Sequence, residues 1–146
     1  NTTDPADSSA DILGTISFNS GDVNLLDITF DTDTYPATTL TAITAIVDPK
    51  LNKPDDGTLP DSALGQRYLI TNDLPAMAKW SFLEAKKNDI IEYNGSDWII
   101  SFDASATSAV NHVLNNADSK RYKWTGTAWV NAIEGTYKPG YWRIYL

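Results

Sequence analysis

Apolar and polar positions along this chain mostly change with the short period of strands. Residues 12–18 (ILGTISF) have strand composition, and Asn19-Ser20-Gly21-Asp22 follow as a turn. Residues 27–31 (DITFD) alternate strictly, which predicts a half-buried strand with Ile28 and Phe30 inward. Residues 39–47 fit two templates: Leu40, Ile43 and Val47 share one helical face, whereas the Thr and Ile content favours a strand. The reading adopted is a short helix running into a strand at residues 45–47. Residues 48–66 hold Pro49, Pro54, Pro60, Gly57 and Gly65 with Asp55-Asp56, the composition of a long surface loop. Residues 67–71 (RYLIT) predict a short strand. Pro75 to Lys87 is rich in helix formers, with Asp73 as a cap, Pro75 in the first turn and Lys86-Lys87 in the last. Met77, Trp80 and Leu83 would share its buried face.

The remainder predicts hairpins. Residues 89–93 and 98–102 flank Asn94-Gly95-Ser96-Asp97, and Asn-Gly supplies positive φ at little cost. Residues 103–119 are polar and predict a loop, with His112 on the surface. Residues 121–124 and 129–132 form a second hairpin around Thr125-Gly126-Thr127-Ala128, and residues 137–146 a third around Pro139-Gly140. The fold class is therefore mainly β, a meander of antiparallel hairpins with one short helix near 75–87.

The first two hairpins share a signature, aromatic-x-Gly-x-x-Trp: Tyr93 to Trp98 and Trp124 to Trp129, with Tyr137 to Trp142 a shifted version. Residues flanking a four-residue turn face each other, so the two rings meet as a cross-strand pair. Trp98 and Trp129 are expected to be buried against Tyr93 and Trp124.

Gly65-Gln66-Arg67-Tyr68-Leu69-Ile70, then Trp80, then residues 88–98 (NDIIEYNGSDW) form an ordered set. It resembles a module of tailed-bacteriophage virion proteins, found in tail fibres and tail-associated proteins. In that module a Pro-rich lead-in precedes a G-x-R-Y-L/I-V/I strand, a Trp and a Y-D-G-x-x-W hairpin. The resemblance covers about residues 45–103, with Trp124/Trp129 as an echo; residues 1–44 have no such counterpart. The acidic Asp/Thr/Asn-rich style also resembles virion structural proteins of T4-like contractile-tailed phages. The resemblance implies a structural or adhesion role in the phage particle, and it carries no catalytic residues to transfer.

Composition narrows the chemistry. The 146 residues suit one domain, and there is no Cys, one His and three Glu (Glu84, Glu92, Glu134), a poor supply for thiolate, multi-His metal or Ser/His/Asp sites. Residues 1–49 hold eight Asp and no Lys, Arg or Glu, so the whole formal charge of −8 sits in that third. Such a chain is a poor partner for nucleic acid or an anionic membrane. Residues 1–11 are too polar to order themselves by burial and predict a flexible acidic arm or linker ahead of a single domain over 12–146. The start at Asn1, with no signal-peptide pattern, is expected of a cleaved product or a piece of a longer chain.

The function expected is that of a non-enzymatic virion structural module, with copies of itself or other virion proteins as partners. The alternative is a carbohydrate-binding or host-adhesion module using exposed aromatics, with Tyr93 and Trp124, next to their turns, as the candidate ligand-binding residues. Asp27, Asp31 and Asp33 fall on one strand face and Asp55-Asp56 in a loop, but the sequence after Asp31 lacks the Gly and the final Glu of a calcium loop. No metal and no cofactor is expected. Glu92 and Asp103 are the remaining carboxylates that a hydrolase could use as a pair.

Overall fold

The computed structural model describes residues 14–31 and 39–132. Within them the chain is mainly β. Nine strands run in order: β1 (Gly14–Phe18), β2 (Leu26–Phe30), β3 (Ala45–Val47), β4 (Arg67–Ile70), β5 (Ile90–Tyr93), β6 (Trp98–Phe102), β7 (Asn111–Asn115), β8 (Lys120–Trp124) and β9 (Trp129–Asn131). They form a two-stranded ribbon β1-β2, a four-stranded sheet β3-β4-β5-β6 and a three-stranded sheet β7-β8-β9. The arm over 1–11, the third hairpin over 137–146 and Asp33 lie outside the described residues.

Residues 39–47 hold no helix but bridges at Thr39 and Ile43, a bend at Thr44 and the strand β3, which corrects the short helix expected at their start. The reason is backbone pairing on two sides. The amides of Leu40 and Ile43 donate to the carbonyls of His112 and Leu114 at 2.7 and 2.9 Å, and Ile43 accepts from Asn116 at 3.0 Å. The next residues turn to the other sheet: Thr44 donates to Arg67 at 2.7 Å and Val47 accepts from Thr71 at 3.0 Å. β3 therefore runs parallel to β4, the one parallel strand pair in an otherwise antiparallel set. Parallel neighbours need a crossover of a dozen residues or more. The Pro-rich residues 48–66 supply it.

The helix expected over 75–87 is reduced to one 3-10 turn, Ala78–Trp80, ended by Ser81 and Phe82 at φ of 55° and 57°. Tertiary contacts override propensity here. Leu74 and Ala85 exchange backbone hydrogen bonds at 2.9 and 3.1 Å, whereas a helix would hold them about 16 Å apart. Asp73 does not cap a helix; it accepts from the Lys87 amide at 2.9 Å and from Lys86 Nζ at 3.3 Å, closing the loop. Trp80 is pinned in the core, its indole donating to the Pro49 carbonyl at 3.0 Å.

Two further expectations are corrected. Residues 111–115, expected in a loop, form β7, which pairs with β8 and meets residues 39 and 43 in parallel bridges. With neighbours on both edges, His112 is 0% exposed rather than a surface residue. Ile28, expected inward, is 44% exposed. The corresponding expectation for the Phe30 side chain lies outside the described part of the structure.

All four residues of β4 are buried, because each face of the strand meets a different core. Tyr68 and Ile70 join Val47, Leu74, Trp80, Ile91 and Trp98 beneath the loops of residues 48–66 and 71–89. Leu69 joins Ile43, Ile90, Phe102, Val113 and Trp124 between the four- and three-stranded sheets. Arg67, on the Leu69 side, is held by Glu92 of the adjacent β5.

β6 serves both cores by breaking its own alternation. Trp98 and Phe102 are four residues apart, so a regular strand would point both to one face. The register shifts between Ile90 and Ile91: Ile90 faces Phe102 while Ile91 faces Ile100, leaving Ser101 as the extra residue. This bulge turns Phe102 to the inter-sheet core and leaves Trp98 under the loops. The Ser101 hydroxyl donates to the Ile90 carbonyl at 3.2 Å.

Tyr68 packs against Trp80 and Trp98 at 6.0 and 5.6 Å between ring centres. Its buried hydroxyl has no hydrogen-bond partner among the described residues, and burial raises its pKa. Two stability measurements check this core. Trp98→Ala is expected to lower stability by about 3–5 kcal/mol in denaturant melts; a loss under about 1 kcal/mol would mean the ring is not packed. Tyr68→Phe is expected to leave stability unchanged or raise it by about 1 kcal/mol, since it removes an unsatisfied polar group. A comparable loss would mean the hydroxyl is bonded through water.

Candidate functional site

The two candidate ligand-binding aromatics are placed by their hairpins. Asn94 donates to Asp97 across the first turn and Thr125 to Ala128 across the second, each at 3.0 Å, with Gly95 and Gly126 at φ of 97° and 96°. At Gly126 a β-carbon would also meet the Ser108 carbonyl oxygen at 2.7 Å, so that turn is tied to the loop after β6. Tyr93 then meets Trp98 at 5.4 Å and Trp124 meets Trp129 at 5.5 Å, the expected cross-strand pairs.

Within the second pair the burial is the reverse of that expected. Trp124, on the central strand β8, is 2% exposed, and Trp129, on the edge strand β9, is half-buried. Trp124 is therefore not presented for a ligand, and Tyr93 is half-buried against Trp98. All four described indoles donate internally. Trp80 reaches the Pro49 carbonyl, Trp98 the Ser62 hydroxyl (3.2 Å), Trp124 the Thr107 carbonyl (2.7 Å) and Trp129 the Asn88 carbonyl (2.9 Å). They act as staples between segments far apart in sequence.

The carboxylates are spent on loop geometry. A cleft of about 430 Å³ beside the 74–85 bridge is lined by Lys50, Asp73, Glu84, Lys86, Asp89 and Asp103, with Leu74 and Ile100. Asp89 is buried and accepts from the amides of Lys86 (2.7 Å) and Ala104 (2.9 Å), joining the loop before β5 to the turn after β6. Asp103 accepts from the Ser105 hydroxyl at 2.6 Å and its amide at 2.9 Å, which hold its carboxyl below the usual range. The Lys87 amide and the Lys86 ammonium do the same for Asp73. Glu92 is engaged by Arg67 and does not line this cleft, so the structure does not join it with Asp103 as a pair. Asp27 accepts from Asn19, Asp55 from Ser62 and Asp56 from Thr58. Among the described residues no group of three His, Cys, Asp or Glu is placed to hold a metal ion, and no helix is long and apolar enough to cross a membrane.

The feature left over is the ribbon. β1 and β2 pair in register, Ile16 opposite Ile28 and Phe18 opposite Leu26. Alternation therefore gathers these four on one face and Thr15, Ser17, Asp27 and Thr29 on the other. The apolar face stands in solvent: Ile16, Leu26 and Ile28 are exposed and Phe18 is 75% exposed, with Val23 and Leu25 of the turn exposed beside them. The alternation was visible in the sequence; the lack of a cover among the described residues was not, because burial depends on what the fold brings opposite.

Comparison with protein-family models, with curated proteins and with solved structures gave no match.

Asp89 and its neighbours in the cleft separate architecture from surface. Asp89→Ala leaves two amides without their acceptor and is expected to lower stability by about 1–3 kcal/mol. Asp103→Ala, at an exposed turn, is expected to have a much smaller effect. Equal effects in thermal melts would contradict the pinning role assigned to Asp89.

Proposed function

We propose that this chain is a non-enzymatic structural module of a tailed-phage particle, acting by assembly with copies of itself or with neighbouring virion proteins. The observation that carries the reading is the exposed apolar face of β1-β2, which no other described element covers. An isolated two-stranded hairpin is marginal in water, and exposed apolar patches of this kind mark interaction surfaces. Covering that face would stabilise ribbon and assembly together.

The same reading accounts for where the aromatic rings and carboxylates go. The described tryptophans hold loops to sheets, and the acidic side chains cap turns, so the surface is built for a fixed shape. The resemblance of residues 45–103 to tail-associated modules supports a place in the particle. A carbohydrate-binding role would draw on exposed rings, and Tyr93 and Trp124 do not supply them.

The test is the mass of the protein in solution. The wild-type chain is expected to give a concentration-dependent mass above that of one chain by light scattering. Phe18→Asp, at an exposed position, is expected to reduce the mass to that of a single folded chain. A wild-type protein that stays monomeric at high concentration would overturn the reading, unless it binds another virion protein through the same face.

A further inference from the structure

The tip of the β5-β6 hairpin carries a reactive pair that neither core nor ribbon uses. Asn94 is followed by Gly95, the only Asn-Gly pair in the chain, and both residues are exposed. The Asn94 side-chain oxygen accepts from the Ser96 and Asp97 amides, each at 2.9 Å. Among the described residues its side-chain nitrogen donates to nothing, and neither does the Gly95 main-chain N–H. Gly95 sits at φ of 97°, and with no β-carbon it leaves the approach to its nitrogen open.

These are the parts of an intramolecular acyl transfer. The Gly95 nitrogen is the nucleophile, and adding it to Asn94 Cγ closes a five-membered imide ring. Hydroxide takes the Gly95 amide proton, the bond from Cγ to the side-chain nitrogen breaks, and ammonia leaves. As the nitrogen adds, negative charge develops on the Asn94 side-chain oxygen, at which the Ser96 and Asp97 amides already point. Water then opens the imide. Attack at Cγ gives aspartate, whereas attack at the main-chain carbonyl gives an isoaspartyl link with an extra carbon in the main chain. The turn has no slack for that carbon, because the Asn94 amide is bonded to the Asp97 carbonyl at 3.0 Å and Tyr93 meets Trp98 beneath. The same two amides favour charge on the Cγ oxygen during opening, and they bond an aspartate carboxylate more strongly than an amide. We propose that Asn94 is a site of spontaneous deamidation and that the folded turn directs its product to aspartate. In sum one water is consumed and one ammonia released. This chemistry is independent of assembly.

Asn19 is the contrasting case within the chain. Its side-chain oxygen also accepts from two amides, those of Gly21 and Asp22 at 2.8 and 3.0 Å. Ser20, not Gly, follows it, so a β-carbon crowds the nucleophile, and its side-chain nitrogen is held by Asp27 at 3.0 Å. Asn19 therefore keeps its amide.

The experiment incubates the full folded chain in mildly alkaline buffer beside the same chain in urea, and follows both by ion exchange and by mass spectrometry of peptides. The folded chain is expected to gain a species with one more negative charge, mapped to Asn94 and formed about tenfold or more faster than at Asn19. Its ratio of aspartate to isoaspartate is expected to exceed that of the urea sample. Asn94→Thr gives this turn the residue that Thr125 is in the second, where the hydroxyl accepts from the Ala128 amide at 3.2 Å. That variant is expected to fold and to lose the acidic species. Asn94→Asp is expected to melt no lower than wild type at neutral pH. An Asn94 that keeps its amide in the folded chain while the urea sample loses it overturns the site. Acidic species that form as fast in Asn94→Thr overturn it too. Equal product ratios in the two samples, or a lower melting temperature for Asn94→Asp, overturn the role given to the two amides.

Discussion

The structure hangs on the backbone hydrogen bonds of residues 39–47. This one extended segment lies against β7 with its first half and against β4 with its second, so the two larger sheets share a strand-like seam. Neither sheet shields both faces alone. The seam sets the sheets at the separation that Ile43, Leu69, Ile90, Phe102, Val113 and Trp124 fill. The ring contacts of Phe102 with Trp124 and Trp129, at 5.7 and 5.2 Å, close the same gap from the other side. Because backbone groups make the seam, its position depends on the direction of the chain more than on any one side chain.

Two reuses of one hairpin show how context divides identical chemistry. Both turns place an aromatic pair across a Gly-containing loop, and both pairs form. In the first, the ring after the turn is buried because loops fold over β6. In the second, the ring before the turn is buried because β8 has a neighbour on each edge. The repeat encodes the contact; the surroundings decide which partner faces water.

The same division separates what was legible in the sequence from what was not. Hairpin turns and cross-strand pairs are local, so Asn94-Gly95 and Thr125-Gly126 announced them. The Leu74–Ala85 bridge and the Asp73 link to Lys87 are closures that no helix propensity over 75–87 reveals. β7 was hidden because Asn111, His112 and Asn115 are polar; the burial of His112 and Asn115 follows from the seam and from β8. The Ser101 bulge was hidden for a subtler reason, since the spacing of Trp98 and Phe102 is what a regular one-faced strand would show. For the candidate site the alternation of β1 and β2 was readable, but the exposure of that face emerges only when the chain is folded.

The seam also orders events during synthesis. Residues 39–47 leave the ribosome well before either of their partners. β4 follows soon after, but β7 is made only after the whole four-stranded sheet has emerged, several seconds later at about 5–20 residues per second. The first sheet can therefore begin to assemble with residues 39–43 still unpaired, a short open template until the second sheet closes over them.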